Sequence, residues 1–330
     1  MKIVSFFTLL ALVSFGSHKD KRTIGSIERL DPEMDRLIQK DAAMEIIAEG
    51  FDWTEGPLWV EKHQMLLFSD IPKNTIYKWT ESKGTEVYLT PSGYTDTAKR
   101  GGETGSNALK LTIKGRLLLC QHGDRRIAVM DAPLDKPAPK FISLADNYNG
   151  KKFNSPNDAA VASNGDIYFT DPPYGLEKNM NDPKKELSFQ GVYKIKKDGK
   201  LILLVDSITR PNGIELTPDG KTLFVSNSDG VKPRWYKYKI KGDALVNGTI
   251  FPDPAEEKNP ERGGADGMKF TKKGYLFAIA PGGVWIFNPK GRIIGKLKIP
   301  ERTSNCALSG DEKTLYITAD MYVLRLKLRN

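Results

Sequence analysis

Cysteine and histidine are scarce in this sequence of 330 residues, which contains two cysteines, Cys120 and Cys306, and three histidines. Two cysteines cannot form a disulfide framework, so the stability of the fold must come from a hydrophobic core. No two histidines are close in sequence. Because zinc prefers thiolate and imidazole ligands, this composition gives little support to a zinc centre of the usual kind.

Long apolar runs are also missing, except at the N terminus. There, Lys2 precedes an apolar run from Ile3 to Phe15, followed by small residues. A run of about 13 residues is too short to span a membrane and is typical of a signal peptide. We therefore expect residues 1–16 to be a signal peptide and the mature protein to be secreted or periplasmic, without a membrane span. A buried N-terminal strand or helix is the alternative.

Several motifs of common enzyme and binding classes are absent. The sequence has no GxSxG elbow, no phosphate-binding glycine loop and no dinucleotide fingerprint. The net charge is +9, but in the most basic stretch, residues 232–242, lysines alternate with Tyr and Ile as on a strand with one solvated face. No nucleic-acid-binding module is recognisable, so we expect no nucleic-acid partner. Nothing in the sequence indicates an oligomeric state.

What the sequence does contain is a repeat. Six segments share a polar anchor, a short apolar strand, a turn rich in Gly, Asp or Lys, and a second strand, as in "SPNDAAVASNGDIYFTDP" and "RPNGIELTPDGKTLFVSNS". The anchors are Glu55, Asn107, Asn157, Asn212, Asp266 and Asn305. The first five lie about 50 residues apart, and each second strand begins 10 or 11 residues after its anchor.

A period near 50 residues with a hairpin in each unit is typical of a β-propeller with one four-stranded sheet per blade. Six repeats predict an all-β, six-bladed β-propeller over residues 45–330, with Glu45–Ala48 completing the last blade and closing the ring. Before it, residues 17–44 are predicted to form an N-terminal extension. This extension should contain a short helix capped by Asp31, with Pro32 at its first position.

The anchors begin the innermost strands, so they should converge at one mouth of the central channel. Asparagine and aspartate also serve turns, which could explain one or two of these positions but not Glu55. Two carboxylates and four amides converging on one axis indicate a site for one divalent cation. Oxygen ligands suit Ca²⁺ first, with Mg²⁺, Mn²⁺ or Zn²⁺ as alternatives.

These repeats resemble the gluconolactonase family of senescence-marker-protein-like (SMP-30-like) six-bladed propellers. The resemblance runs from "GFDWTEGPLW" (residues 50–59) to the last repeat and is most specific in the two segments quoted above. It implies a calcium-dependent lactonase acting on a sugar lactone such as gluconolactone. The metal ligands implied by the family motifs are Glu55, Asn157, Asn212 and Asp266. Asn107 and His122 match polar positions that line the channel in this family.

For catalysis, we expect the metal to polarise the lactone carbonyl and Asp266 to act as general base, or less readily as a nucleophile. His122 could move a proton or bind a substrate hydroxyl, and a purely structural histidine is equally compatible. Tyr174 could stack on the substrate ring or pack its loop. Asp158 and Asp171 could brace the third blade, and the long polar loops 91–105 and 175–190 could cover the mouth.

Two other functions fit the same residues. A phosphotriesterase-like or other ester hydrolase could use the same metal to polarise a phosphoryl oxygen. A propeller that only binds a ligand is also possible, because a fold does not fix its function. The four matching metal positions favour the lactonase.

Overall fold

The computed structural model describes residues 22–231, 233–251 and 263–329. These residues form six blades, each with a four-stranded antiparallel meander, and blade 5 gains a fifth strand. In the first five blades the four strands of the meander follow one another in the chain. This is the predicted six-bladed β-propeller. The predicted signal peptide, residues 1–16, lies outside the described residues.

Each blade is a meander whose first strand is innermost. Blade 1 consists of β3 (Thr54–Val60), β4 (Met65–Asp70), β5 (Thr75–Thr80) and β6 (Gly84–Leu89). Blade 2 consists of β7 (Ser106–Leu111), β8 (Leu117–Gln121), β9 (Arg126–Met130) and β10 (Phe141–Ala145). Blade 3 consists of β13 (Ala159–Val161), β14 (Ile167–Asp171), β15 (Gly191–Ile195) and β16 (Leu201–Val205).

The other three blades follow the same plan. Blade 4 consists of β17 (Pro211–Leu216), β18 (Thr222–Asn227), β19 (Arg234–Lys241) and β20 (Ala244–Phe251). Blade 5 consists of β21 (Met268–Phe270), β22 (Leu276–Ala280), β23 (Gly283–Phe287) and β24 (Ile293–Lys298). Blade 6 consists of β25 (Thr303–Leu308), β26 (Thr314–Ala319), β27 (Tyr322–Lys327) and β2 (Glu45–Glu49).

The ring is closed by the two ends of the chain. Strand β2 pairs antiparallel with β27, with Ile46 opposite Leu324, as the sequence predicts. Each innermost strand also contacts the innermost strands of both neighbouring blades, including β25 against β3. The six innermost strands therefore surround a common channel. β2 thereby covers the outer edge of β27.

The N-terminal extension packs onto blades 5 and 6. Pro32–Arg36 forms a single 3-10 helix, and the Asp31 side chain accepts a hydrogen bond from the Glu33 N–H at its N-terminus. Met34 of this helix is fully buried in the core of blades 5 and 6. Before the helix, β1 (Ser26–Arg29) adds a fifth strand to blade 5 by pairing with β24, which the repeat pattern does not indicate.

The core lies between adjacent blades, where the faces of two sheets pack together. Between blades 2 and 3, for example, Phe153, Phe169 and Tyr193 are fully buried with ring centroids 5.1–5.2 Å apart. Cys120 and Cys306 are both buried and free, so no disulfide joins the described residues, and the fold depends on its hydrophobic core, as the cysteine count suggests.

The remaining elements are short. They are the hairpin β11 (Asn147–Tyr148) with β12 (Lys151–Lys152), and the 3-10 helices Glu61–His63 and Asn179–Asn181. Across the described ranges, no helix has both the length and the apolar character needed to cross a membrane.

Candidate functional site

Five of the six predicted anchors line one cleft at the mouth of the channel. Glu55, Asn107 and Asn212 are each the second residue of an innermost strand. Asn157 and Asp266 each lie two residues before the start of theirs. The cleft has a volume of ≈ 170 Å³. The sixth anchor, Asn305, is buried beside it. Its Nδ2 donates a hydrogen bond of 3.4 Å to Oε2 of Glu55.

Glycines that follow the anchors allow this convergence. A Cβ on Gly213 would lie 2.3 Å from the carbonyl oxygen of Asp266, and one on Gly267 would lie 2.0 Å from Oδ1 of Asn305. Neither contact is possible for a residue with a side chain. The dipeptides Asn212-Gly213 and Asp266-Gly267 are therefore required because the innermost strands of neighbouring blades approach each other closely here.

Four of the ten buried side-chain oxygen atoms that lack a hydrogen-bond partner among the described residues meet in this cleft. They are Oδ1 of Asn107, Asn157, Asn212 and Asp266. A buried polar atom that lacks a partner costs about 1–3 kcal/mol, and a cluster of them points to a bound ion or ligand. Amide and carboxylate oxygens are the donors that hard cations prefer. The residues present therefore fit a divalent cation.

Three of these four oxygen atoms belong to asparagine amides. Among the described residues no group of three or more His, Cys, Asp or Glu side chains could hold a metal ion. A site built from carboxylates and imidazoles alone is thus not formed there. Glu55 and Asp266 supply two carboxylates, and the asparagines must supply the other protein oxygens.

The electrostatics of the cleft favour a cation. Burial, followed by the charge of Asp158, raises the pKa of Glu55 to about 8, against a hydrogen bond of 2.8 Å from the Gly56 N–H. Burial, and next the charge of Glu55, raises the pKa of Asp266 well above its usual value. Both carboxylates are destabilised in the charged form without a counter-ion, and a bound divalent cation would reverse this.

The amide nitrogens of two anchors contact other side chains. Asn157 Nδ2 lies 3.4 Å from Nε2 of His122. Asn212 Nδ2 donates to Ser228 Oγ at 3.2 Å. With their nitrogens directed away, both asparagines leave Oδ1 without a partner. The amide orientation is therefore the one a cation requires.

His122 and Tyr174 occupy different positions relative to the cleft. Tyr174 lines it, and its hydroxyl forms a short hydrogen bond with Ser228. Burial raises the pKa of Tyr174 to about 12, so the phenol stays protonated at neutral pH. His122 is fully buried behind the cleft, where its Nδ1 lies 3.1 Å from Oε2 of Glu103.

The two predicted lid loops also differ. Loop 91–105 reaches the mouth, because its Glu103 lines the cleft beside Asn107. It is fixed by Arg100, which donates to the carbonyls of Gly123 and Gly175. In loop 175–190, Leu187 packs into the core between blades 2 and 3, and none of its residues lines the cleft.

Asp158 and Asp171 hold the chain in place on either side of the start of the third blade, as the sequence suggests. Asp158 accepts a hydrogen bond of 2.7 Å from the Ala159 N–H and lies 3.1 Å from Lys110 Nζ. Asp171 accepts hydrogen bonds of 2.8 Å from the backbone N–H groups of Asn154 and Ser155. The segment that leads into Asn157 is thus held rigidly in place.

Other cleft residues were not predicted from the repeats. They are Trp53, Glu103, Ser228, Gly263, Gly264, Arg302 and Thr303. Trp53 directly precedes the first repeat, Ser228 ends the fourth and Thr303 begins β25, so these three could have been noticed there. Glu103, Gly263, Gly264 and Arg302 lie in segments that connect two blades, where we saw no periodic signal.

Comparison with known proteins gives consistent results. The sequence profile of the SMP-30/Gluconolactonase/LRE-like region matches residues 53–320. The chain is 37% identical over 314 residues to a gluconolactonase from Zymomonas mobilis, covering 93% of this chain and 87% of that protein. It superimposes on the structure of a gluconolactonase from Xanthomonas campestris with a TM-score of 0.79 and 27% identity, covering 93% of this chain and 97% of that one.

A more distant structure shows the same fold. Regucalcin from Agrobacterium tumefaciens, a calcium-binding protein, superimposes with a TM-score of 0.66 and 17% identity, covering 86% of this chain and 94% of that one. At this level of identity the likeness concerns the propeller alone.

Proposed function

We propose that this chain, which belongs to the SMP-30/gluconolactonase/LRE-like family, is a lactonase that opens a sugar lactone such as gluconolactone in the cleft around Asp266. As a lactonase it is a carboxylic ester hydrolase. The observation that carries the proposal is the cluster of buried oxygen atoms without partners, at positions where the chain matches the family. The substrate class is taken from the gluconolactonase of Zymomonas mobilis that the chain resembles.

We propose Glu55, Asn157, Asn212 and Asp266 as the protein ligands of one divalent cation. Two carboxylates and two amides form an all-oxygen donor set, which suits Ca²⁺ first; Mg²⁺, Mn²⁺ and Zn²⁺ are the alternatives. When bound, such a cation supplies Lewis-acid polarisation of the lactone carbonyl and stabilises the negative charge that develops on its oxygen.

Asp266 is the proposed general base. It has two carboxylate oxygens, so it can hold the cation through one and accept a proton from the attacking water at the other. Its Oδ1 is buried and has no partner, which leaves it available within the cleft. A direct nucleophilic attack by Asp266 is the less favoured route.

The rest of the cleft suits a polyhydroxylated substrate. Asn107 offers an amide, Tyr174 a protonated phenol, Glu103 a carboxylate and Arg302 a guanidinium, all on the same lining. Sugar hydroxyls both donate and accept hydrogen bonds, so a mixed lining of this kind can bind several of them at once. The indole of Trp53 provides the apolar surface against which the C–H face of a sugar ring can pack.

We further propose that residues 1–16 direct the protein to the periplasm or the exterior. The proposal rests on the short apolar run after Lys2. Mass spectrometry of the protein purified from its native host would test it. Cleavage close to residue 16 would support export, and an intact N terminus in the cytosolic fraction would contradict it.

The lactonase is tested by measuring proton release from gluconolactone above the spontaneous rate. The purified protein is assayed after chelation, after Ca²⁺ is restored, and as Asp266→Asn, with Asp219→Asn on an exposed turn as the matched control. We expect activity that requires the cation, falls by roughly 100-fold or more in Asp266→Asn and is unchanged in the control. If the Ca²⁺-bound protein released protons from gluconolactone no faster than the spontaneous reaction, gluconolactone would be excluded as a substrate. Screens of other lactones and of phosphate esters would then separate another hydrolase from a binding propeller.

A further inference from the structure

Two proposed cation ligands, Asn157 and Asn212, share a requirement that carboxylate ligands do not have. An asparagine can present either Oδ1 or Nδ2 to the cleft, since rotation of the amide by half a turn exchanges them. Only the oxygen can bind a cation, and a misplaced NH₂ group would repel it. Some feature of the protein must therefore select the correct orientation, and in both cases a neighbouring side chain contacts the nitrogen.

Behind Asn157 lie His122 and Glu103. The imidazole of His122 is fully buried, with Nδ1 3.1 Å from Glu103 Oε2 and Nε2 3.4 Å from Asn157 Nδ2. Nδ1 makes no well-aligned hydrogen bond, but the negative charge of a carboxylate 3.1 Å away favours the tautomer that carries its proton at Nδ1. Nε2 is then an acceptor, which attracts the NH₂ group of Asn157 and repels its oxygen. Oδ1 of Asn157 is consequently directed away from the histidine.

Behind Asn212 lie Ser228 and Tyr174. Ser228 Oγ accepts a hydrogen bond of 3.2 Å from Asn212 Nδ2 and lies 3.4 Å from the carbonyl oxygen of Arg210, to which it can donate. The Tyr174 hydroxyl contacts the same Oγ. With its own proton directed to an acceptor, the serine presents a lone pair to Asn212. This again leaves Oδ1 as the atom without a partner.

We propose that Glu103, His122 and Ser228 are positioning residues that fix the amide orientation of the two asparagine ligands. His122 then acts through Asn157 and does not transfer a proton to the substrate. Glu103 acts one step further away by setting the tautomer of His122. The inference rests on the proposed function only in assuming a cation at these asparagines. It does not depend on which lactone, if any, is hydrolysed.

The test is the affinity of the intact protein for Ca²⁺, measured by isothermal titration calorimetry. Loss of a group that orients a metal ligand typically weakens metal binding 10–100-fold. We expect a weakening of about 10-fold for His122→Leu and for Ser228→Ala. The double variant should be weakened by about 100-fold, because the two residues act on different ligands. His63→Gln, a histidine in the turn after β3, should bind like the wild type.

Two variants of Glu103 distinguish an orienting role from simple attraction between its carboxylate and the cation. Glu103→Gln can keep a side-chain oxygen beside Nδ1, so its affinity should stay within about threefold of the wild type, while Glu103→Ala should lose about as much as His122→Leu. Equal losses in the two Glu103 variants would show that only its charge matters and would overturn its positioning role.

Wild-type affinity in His122→Leu and Ser228→Ala, with thermal unfolding temperatures close to wild type, would overturn the whole inference. No binding of Ca²⁺, Mg²⁺, Mn²⁺ or Zn²⁺ to the wild type would do the same. A protein that binds Ca²⁺ but hydrolyses no lactone would contradict only the proposed function.

Discussion

Nζ of Lys110 lies 3.1 Å from Oδ1 of Asp158 inside the propeller, where only 15% and 1% of the two side chains are exposed. The charge of Asp158 also raises the pKa of both Glu55 and Asp266. The ion pair thus lies close to the proposed cation ligands. Lys110 compensates a carboxylate that would otherwise be buried without a counter-charge.

Lys110→Met should therefore destabilise the protein strongly. Removing one partner of a buried ion pair typically costs about 3–5 kcal/mol because the other charge remains buried. Urea unfolding of the metal-free protein measures this cost. The matched control is Lys78→Met, whose partner Glu86 is also 3.1 Å away but whose pair is 32% and 42% exposed. It should cost about 1 kcal/mol or less. Equal effects in the two variants would show that burial of the Lys110 pair is unimportant.

Glu55→Gln should separate stability from cation binding. The carboxylate is 2% exposed and is destabilised mainly by its burial. Its neutral isostere should raise the stability of the chelated protein by about 1 kcal/mol. In the wild type, Ca²⁺ at 100 times its Kd should add about 2.7 kcal/mol, and this gain should largely vanish in Glu55→Gln. Thermal unfolding with EDTA and with Ca²⁺ measures both effects. A variant that keeps the full gain would exclude Glu55 as a ligand.

Asp171 should make stability depend on pH. Burial raises the pKa of this carboxyl from 3.8 to about 7 in the folded protein, in spite of the hydrogen bonds from Asn154 and Ser155. The folded state then holds a proton that the unfolded state releases, so stability should fall as the pH rises from about 4 to about 7.

The free energy of unfolding in urea, measured at several pH values with EDTA present, tests this. Asp171→Asn should be less stable throughout, since an amide cannot accept all the hydrogen bonds of the carboxylate, but its decline with pH should be shallower. Asp41→Asn, at an exposed position, should keep the wild-type slope. An unchanged slope in Asp171→Asn would rule out titration of Asp171 in this range.

Two buried tyrosines should respond oppositely to loss of the hydroxyl. The Tyr193 hydroxyl has no hydrogen-bond partner, whereas the Tyr88 hydroxyl donates to the Leu134 carbonyl at 2.8 Å. Tyr193→Phe should be neutral or stabilising by about 1 kcal/mol, and Tyr88→Phe should cost about 0.5–1.5 kcal/mol. The midpoints of urea unfolding of the two variants, compared with that of the wild type, test both predictions. A clear loss in Tyr193→Phe would reveal a hydrogen-bonded water at that hydroxyl.

The sequence alone was sufficient for the propeller and for the convergence of its anchors. Strand, turn and strand recur with a period that local chemistry dictates, so each unit could be recognised separately. The prediction that β2 closes the ring was also confirmed, because the last repeat lacks a fourth strand of its own. The roles of Glu55, Asn157, Asn212 and Asp266 as metal ligands stay predictions, although the structure brings all four to one cleft.

The remaining walls of the cleft depend on contacts between distant parts of the chain. The path of loop 91–105 is set by Asn74, whose Oδ1 accepts from the Gly93 N–H at 2.7 Å and whose Nδ2 donates to the Tyr94 carbonyl at 2.8 Å. Arg100 then ties the loop to Gly123 and Gly175. No periodic pattern encodes such contacts, so the position of Glu103 beside His122 could not be predicted.

Periodicity therefore determined where the anchors begin their strands, because that information is local and repeated six times. Tertiary structure decided which side chains contact their amides: His122 and Glu103 reach Asn157 from blade 2 and loop 91–105, and Ser228 reaches Asn212 from the end of the neighbouring strand β18. The orientation of each amide depends on these partners. The sequence does not specify how an asparagine amide is oriented. Its packed neighbours determine whether it presents its oxygen or its nitrogen to a cation.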